Sequence, residues 1–321
     1  MPQQFELRKE IELKATPEQV WDAIATGPGV DAWFMGRNEI EAGEGGAVRL
    51  SLAGHTSQST VTAWEPGRRL AHSNSPGPDG SFLAFEYLIE ARGGGSTVMR
   101  LVQSGVLGGD NWETEYEAMK EGWDMYLHSL GQYLTHFPGR SAQVVSVIKP
   151  QAPERDQAWD QVKTRLGLTG TVSEGDPVRL ALTEPTGVVR GSRLIRGRRI
   201  SLRGAGAPAP ATGGTMTATM DAPGRVFDIT GAGLIKGIST SLPAERVTGS
   251  GLVEGVVDYA GFPTFLGVRT DQGLFRFIHS GADRGNVMIL GHHIFDDVNV
   301  EQTQYSWQSW LDRTLVTPED A

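Results

Sequence analysis

Two histidines and two aspartates stand together in the segment "GHHIFDD" at residues 291–297. Imidazole and carboxylate groups of this kind bind zinc or non-haem iron, or form an acid–base pair. The segment, however, has the pattern of a strand, in which the neighbours His292 and His293 point to opposite faces. The H-x-x-x-H and H-E-x-x-H spacings are also missing. The sequence therefore predicts a strand end followed by a turn, and neither a metal nor a cofactor.

Six arginines lie in the segment "RGSRLIRGRRISLR" at residues 190–203. Guanidinium groups at this density could contact phosphate or an acidic partner. However, no aromatic residue is interleaved among them to stack on bases, and the chain has a net charge of −9. We therefore predict a solvated or internally paired strand and no nucleic-acid partner.

Aromatic and long apolar residues recur three or four positions apart in "NWETEYEAMKEGWDMYLHSLGQYLTHF" at residues 111–137. This spacing predicts one long helix with a single apolar face. Such a face could simply pack on a sheet, but in a fold where a sheet grips the helix it also forms the wall of a pocket. The predicted cavity-lining residues are therefore Tyr116, Met119, Trp123 and Leu127 on this helix, Phe85 on a strand, and Trp33 and Phe34 on a second short helix predicted in "GVDAWFMG".

Several ionisable residues could reach the same pocket and perform general acid–base chemistry, namely Glu86, Glu90, Arg100, Tyr116, Tyr126 and His128. No pair among them stands at a defined catalytic spacing. The chain has no G-x-S-x-G nucleophile elbow, and its lack of cysteine excludes thiolate nucleophiles, disulfides and cysteine metal sites. The sequence assigns no catalytic residue and favours a binding protein over an enzyme.

The elements that must position these residues follow a clear order along the first 139 residues. A strand at 5–13 precedes a helix in "TPEQVWDAI", where Thr16 and Gln19 form a capping box. Strands separated by glycine- and proline-rich turns then run from Asn38 to Val106, and the long helix follows. This order predicts an α+β fold in which a curved antiparallel sheet surrounds one long helix and leaves a cavity.

Parts of this order recur later in the chain, which at 321 residues exceeds the usual size of one domain. The segment "QVWDAI" at 19–24 is echoed by "QAWDQV" at 157–162, and "WDMYL" at 123–127 by "WQSWL" at 307–311. Both echoes follow strand-like segments. The sequence therefore predicts two tandem helix-grip modules, at residues 1–139 and 140–321. The second is divergent and carries an insertion around 171–250.

The first module resembles a known superfamily. The motifs "TPEQVWDAI", "AWFMG", "EPGRRLAHS", "GGGSTVMRLVQSG" and "EGWDMYLHSLGQYL" are similar, in this order, to the START/Bet v1-like (SRPBCC) superfamily, and most similar to its Hsp90 ATPase activator homologue branch. The resemblance covers residues 5–137 and implies a helix-grip fold around a hydrophobic pocket. Members of the superfamily bind lipids, sterols and polyketides, and some act as aromatase/cyclases. Some bacterial members belong to enediyne clusters and confer self-resistance by being cleaved at a glycine.

The residues and the resemblance together predict a protein that holds an apolar or aromatic, polyketide-like small molecule in a helix-grip cavity, in natural-product biosynthesis or enediyne self-resistance. A polyketide cyclase- or aromatase-like enzyme is the alternative, and an Hsp90 co-chaperone-like protein is a further one. The polar N-terminal segment and the lack of a membrane-length apolar run favour a cytoplasmic protein with no membrane partner. The oligomeric state is not determined by the sequence, which is compatible with a monomer.

Overall fold

The computed structural model describes residues 3–52, 54–107, 112–168, 177–183, 201–202, 217–221, 225–230, 246–259, 262–282 and 285–317. The chain divides into two compact units, one formed by residues 1–179 and 250–321 and the other by residues 180–249. The described helices are α1 (Pro17–Ala25), α2 (Gly27–Asp31), α3 (Trp112–His136), α4 (Arg155–Leu166) and α5 (Val300–Thr314).

The described strands number sixteen. The first seven are β1 (Gln3–Leu13), β2 (Arg37–Ile40), β3 (Ala47–Leu52), β4 (His55–Glu65), β5 (Arg69–Ser73), β6 (Phe82–Ala91) and β7 (Thr97–Leu107). The next five are β8 (Gln143–Pro150), β9 (Pro177–Thr183), β10 (Ser201–Leu202), β11 (Thr217–Asp221) and β12 (Arg225–Thr230). The last four are β13 (Arg246–Tyr259), β14 (Phe262–Arg269), β15 (Gly273–Ala282) and β16 (Gly285–Ile294).

The first seven strands form one antiparallel sheet in the order β1-β7-β6-β5-β4-β3-β2. One cross-strand row runs from Leu7 through Gln103, Phe85 and His72 to Val61. Because side chains alternate along each strand, these five share one face of the sheet. That face packs against α3, whose buried side chains include Trp123, Leu127, Leu130 and Leu134.

The start of α1 confirms the predicted capping box, since Thr16 and Gln19 exchange both of its hydrogen bonds. The turn from α1 into α2 is tight. A Cβ atom on Gly29 would lie 2.0 Å from the carbonyl oxygen of Asp22, so this position requires glycine. The helix α2 ends at Asp31, and the segment that follows it carries Trp33 and Phe34 just beyond the helix rather than within it.

A second antiparallel sheet has the order β8-β16-β15-β14-β13-β9. As in the first sheet, the first strand of the half lies beside its last strand. One face of this sheet packs on α5, where Phe275 and Phe277 contact the rings of Trp307 and Trp310. The large antiparallel sheets and the packed helices confirm the predicted α+β class, and the first half is consistent with the predicted helix grip.

The unit formed by residues 180–249 contains a three-stranded sheet in the order β10-β11-β12, in which β10 and β11 are parallel. The predicted insertion around 171–250 largely coincides with this unit. The six arginines of residues 190–203 lie outside the described residues. Among the described helices, none combines the length and the apolar character that crossing a bilayer requires.

Candidate functional site

A group of aromatic rings lies between α3 and the first sheet; we call it the aromatic site. Trp123 is buried at its centre. The ring of Phe34 stacks on Trp123 at a centroid distance of 5.7 Å and lies 4.4 Å from Tyr126. Phe85 approaches Trp123 edge-on at 6.3 Å. Tyr116, two helical turns nearer the start of α3 than Trp123, contacts Phe5 at 6.0 Å.

The rings around Trp123 keep part of their surface open to solvent. Phe34, Phe85, Tyr116 and Tyr126 are all half-buried. Half-buried rings at the edge of a core present apolar surface that a flat ligand could cover. The aromatic site therefore combines half-buried aromatic residues with a buried indole, which Trp123 supplies.

The structure separates the seven predicted cavity residues into two groups. The first group belongs to the aromatic site and comprises Phe34, Phe85, Tyr116, Met119 and Trp123. Trp33 is only 1% exposed, and its indole Nε1 donates to the Ala23 carbonyl oxygen at 2.9 Å. Leu127 is buried in the same core. These last two residues support the site from behind rather than facing solvent.

A buried glutamine orients the central indole. Gln103 is 2% exposed, and its Oε1 accepts a hydrogen bond from the Nε1 of Trp123 at 2.5 Å. Its Nε2 lies 3.1 Å from the Sδ of Met119. Because a buried polar group is costly without partners, both contacts hold Trp123 and Met119 in one arrangement.

A Ser–His pair borders the aromatic site, and the sequence reasoning missed it. The Nδ1 of His72 lies 2.8 Å from the Oγ of Ser59, and its ring stacks on Phe85 at 4.9 Å. The ring keeps some solvent access, but its apolar surroundings lower the pKa of His72 to about 4. His72 is therefore neutral at pH 7. In "RLAHS" His72 stands two positions after the buried Leu70, and this strand spacing could have placed it on the inner face.

Three of the predicted acid–base candidates lie on the opposite face of the sheet. Glu86 pairs with Arg69 at 2.7 Å. Arg100 bridges Glu10 at 2.7 Å and Glu90 at 3.0 Å. These residues alternate along their strands with the inward-facing residues, so their side chains lie on the outer face of the sheet. They form ion pairs there and take no part in the aromatic site.

The "GHHIFDD" segment forms the end of β16, as predicted, and its two histidines face opposite sides. His292 accepts from the Nε1 of Trp307 at 3.1 Å and stacks on Phe275 at 3.6 Å. His293 faces the first half of the chain, with Nδ1 2.8 Å from the Asp31 carbonyl oxygen. Within the part of the chain that the structure describes, no three metal-ligating side chains cluster.

A separate open groove of about 740 Å³ runs between α4 and α5. The residues that line it all have polar or charged side chains and include Arg165 and Arg313. It shares no residue with the aromatic site and offers no aromatic ring, so it does not suit an apolar ligand.

The strand order, the gripped helix α3 and the aromatic site match the class of helix-grip proteins. The family model described as "Activator of Hsp90 ATPase homolog 1-like protein" matches residues 14–135, which confirms the resemblance seen in the sequence. The match covers well under half of the chain. Among curated proteins, none matches.

Solved structures are also similar to this chain. A protein from Mesorhizobium loti is 22% identical over 41% of this chain and 98% of its own, with a TM-score of 0.37. A Bacillus halodurans protein is 25% identical over 40% and 96%, with a TM-score of 0.36. DynU16, described as a putative protein in the dynemicin biosynthetic locus, is 15% identical over 95% of both chains, with a TM-score of 0.36. At these scores the likenesses place no constraint on the function.

Proposed function

We propose that the aromatic site, which lies between α3 and the first sheet, binds a flat, aromatic, polyketide-like small molecule. The observation that carries this proposal is the ring of half-buried aromatic side chains, Phe34, Phe85, Tyr116 and Tyr126, around the buried Trp123. Covering such rings with a planar ligand removes apolar surface from water and adds stacking contacts.

Polar groups beside the rings support the same proposal, because small-molecule sites combine an apolar lining with a few hydrogen-bonding groups. Ser59 and His72 offer a hydroxyl and a neutral imidazole next to Phe85. A phenol or quinone oxygen on the ligand would find both a donor and an acceptor there. This pair would orient the ligand on the rings.

The pair formed by Ser59 and His72 is also the observation that favours the alternative function, a cyclase- or aromatase-like enzyme. The low pKa of His72, about 4, argues for binding instead. A general base works best with a pKa near the working pH, and an imidazole of this pKa accepts a proton poorly at pH 7. The turnover of a linear polyketide thioester analogue into a cyclic product would support the alternative.

We also propose that residues 140–321 are a second, divergent helix-grip module with an insertion around 171–250. The support is the shared strand order, with α4 and α5 at the chain positions that α1 and α3 occupy in the first half.

We further propose natural-product biosynthesis or enediyne self-resistance as the biological setting. Incubation with an activated enediyne, followed by mass spectrometry, would test the proposal of self-resistance. The absence of both binding and site-specific cleavage would exclude it.

The direct test of binding is a titration of the full chain with anthraquinone-2-sulfonate, followed by quenching of tryptophan fluorescence. We expect saturable binding to the wild-type protein and about fivefold weaker binding to Phe85→Ala, because one ring–ring contact is worth about 1 kcal/mol. Tyr305→Ala is the matched control, since Tyr305 is 64% exposed on α5. Equal affinities of both variants, or no saturable binding to the wild type, would contradict the proposal.

The pH dependence of binding follows from His72. Because its pKa is lowered to about 4, we expect the affinity for anthraquinone-2-sulfonate to stay constant from pH 8 to about 5.5. Affinity should change only as the pH approaches 4, where protonation alters the hydrogen bonding of the imidazole. The same titration repeated in His72→Gln should show no such change. An inflection near pH 6.5 in the wild type that His72→Gln abolishes would show that His72 is not held neutral.

A further inference from the structure

A buried arginine of the second half contacts the segment of residues 31–34 at the end of α2, which we call the corner and which carries Phe34. Arg276 lies on β15 and is 3% exposed. Its Nη1 donates to the Trp33 carbonyl oxygen at 3.0 Å, and its Nη2 donates to the Phe34 carbonyl oxygen at 3.2 Å. Its guanidinium carbon lies 5.3 Å from the centre of the Tyr126 ring. One side chain therefore contacts the backbone of Phe34 and the ring of Tyr126, two members of the aromatic site.

His293 adds a second connection to the same corner. Its Nε2 is hydrogen-bonded to the Nη2 of Arg276, and its Nδ1 lies 2.8 Å from the Asp31 carbonyl oxygen. Because a guanidinium can only donate, Nε2 is the acceptor and Nδ1 carries the proton that Asp31 accepts. Burial, together with the charge of Arg276, lowers the pKa of His293 and keeps it neutral. The pair thus binds three backbone carbonyls of residues 31–34.

These carbonyls need partners from elsewhere in the chain. The carbonyl of Asp31 is the last of the five-residue helix α2 and has no partner within it, and the carbonyls of Trp33 and Phe34 lie beyond the helix. A buried carbonyl without a hydrogen bond is costly. A guanidinium suits this corner because its planar fork can donate to two adjacent carbonyls while one face lies on a ring. Lysine has neither the fork nor the flat face.

The position of Arg276 is determined by the core of the second half. Its neighbours on β15, Phe275 and Phe277, point to the other face and contact Trp307. The strand is therefore held on one side by α5, while Arg276 projects from the other side toward the first half. The geometry of Phe34 depends on a strand that lies more than 240 residues further along the chain.

We infer that Arg276 and His293 are positioning residues that set the arrangement of the aromatic site from the other half of the chain. The role in ligand binding rests on the proposed function of that site. The role in holding residues 31–34 does not depend on it. The two halves would then form one binding unit, in which the second sheet determines how Phe34 and Tyr126 are presented to a ligand.

The first test needs no ligand. Hydrogen exchange of the full chain, followed by mass spectrometry of peptides, is compared between the wild type, Arg276→Met and Arg276→Lys. We expect amides of residues 30–38 to exchange about tenfold faster in Arg276→Met, with an intermediate effect in Arg276→Lys, and peptides of β6 and β7 to be unchanged. Arg8→Met is the matched control, because Arg8 is 73% exposed. Unchanged exchange at residues 30–38 in both Arg276 variants would overturn the inference.

The second test separates positioning from general destabilisation by a double-mutant cycle with Phe34→Ala. We expect Arg276→Met to weaken binding of anthraquinone-2-sulfonate about tenfold in the wild-type background and less than about twofold in the Phe34→Ala background. Additive losses would overturn the role in ligand positioning. If Arg276→Met does not fold, Arg276→Lys and His293→Gln enter the same cycle. If the wild type binds no probe, the proposed function fails, while the exchange experiment still decides whether Arg276 holds the corner.

Discussion

Replacement of Trp307 by alanine is expected to lower the free energy of unfolding by about 3–5 kcal/mol, as for other large buried aromatic residues. The side chain of Trp307 is fully buried, at 0% exposure. Its ring contacts Phe275, Phe277 and Trp310, and its indole donates to His292. The substitution would remove these contacts, leave a cavity, and leave the Nδ1 of His292 without its donor.

Urea denaturation of the full chain, followed by far-UV circular dichroism, measures this loss. Tyr305→Ala is the matched control, because it removes an aromatic ring from the same helix at an exposed position. We expect the control to change the unfolding free energy by no more than about 0.5 kcal/mol. A loss below about 1 kcal/mol for Trp307→Ala would mean that α5 does not depend on this ring. Because β15 carries both Phe275 and Arg276, Trp307→Ala should also loosen residues 31–34.

A marked loss of stability is expected as the pH falls from about 7 to about 5, because several histidines are buried in the neutral form. Burial lowers the pKa of His72 to about 4 and lowers the pKa of His279, His292 and His293. In the unfolded chain each titrates near its ordinary pKa of about 6.5. Below that pH the unfolded state binds more protons than the folded state. The stabilisation is therefore fully present above pH 6.5 and is lost as the pH falls.

One buried carboxyl acts in the opposite direction. Desolvation raises the pKa of Asp31, so the folded state takes up a proton there more readily than the unfolded state. This contribution adds stability at lower pH, as the carboxyl of the folded state becomes protonated. Burial also raises the pKa of Glu121, so two carboxyls stand against four histidines, and we expect the histidines to dominate between pH 7 and 5.

Thermal unfolding of the full chain at pH 7.5, 6.5 and 5.5 tests this prediction. Each buried histidine can contribute a slope of up to about 1.4 kcal/mol per pH unit below 6.5. His279→Gln should give a shallower slope, because glutamine can donate to the Pro153 carbonyl oxygen, as His279 does, without titrating. His55→Gln is the control, since it makes the same substitution at an exposed position on β4. Equal stability at all three pH values would contradict the prediction.

The sequence predicted the local elements well, because local physics determines them. The Thr16–Gln19 capping box and the beginning of α1 depend on residues three positions apart. The apolar face of α3 follows from the helical period, and the helix was placed within one residue of its observed bounds. The division at residues 139 and 140 stays a prediction.

The candidate site was predicted only in part. Periodicity placed Tyr116, Met119 and Trp123 on one face of α3, and the resemblance supplied the expectation of a cavity. The inward position of His72 was overlooked although it stands two positions from the buried Leu70, and its bond to Ser59 was missed because the pattern of one strand does not specify which residue of the neighbouring strand it contacts. The outward ion pairs of Glu86 and Arg100 were left open for the same reason.

By itself the sequence determined which side chains lie together on one helix or one strand, since the helical and strand periods are properties of adjacent residues. Only the tertiary structure decided that Arg276 and His293 meet the backbone of residues 31–34 and that Arg276 faces Tyr126. The physical reason is that a backbone carbonyl at or beyond the end of a short helix accepts a hydrogen bond from any correctly placed donor. No pattern in the chain specifies a donor more than 240 residues away, so packing of the two sheets alone determines it.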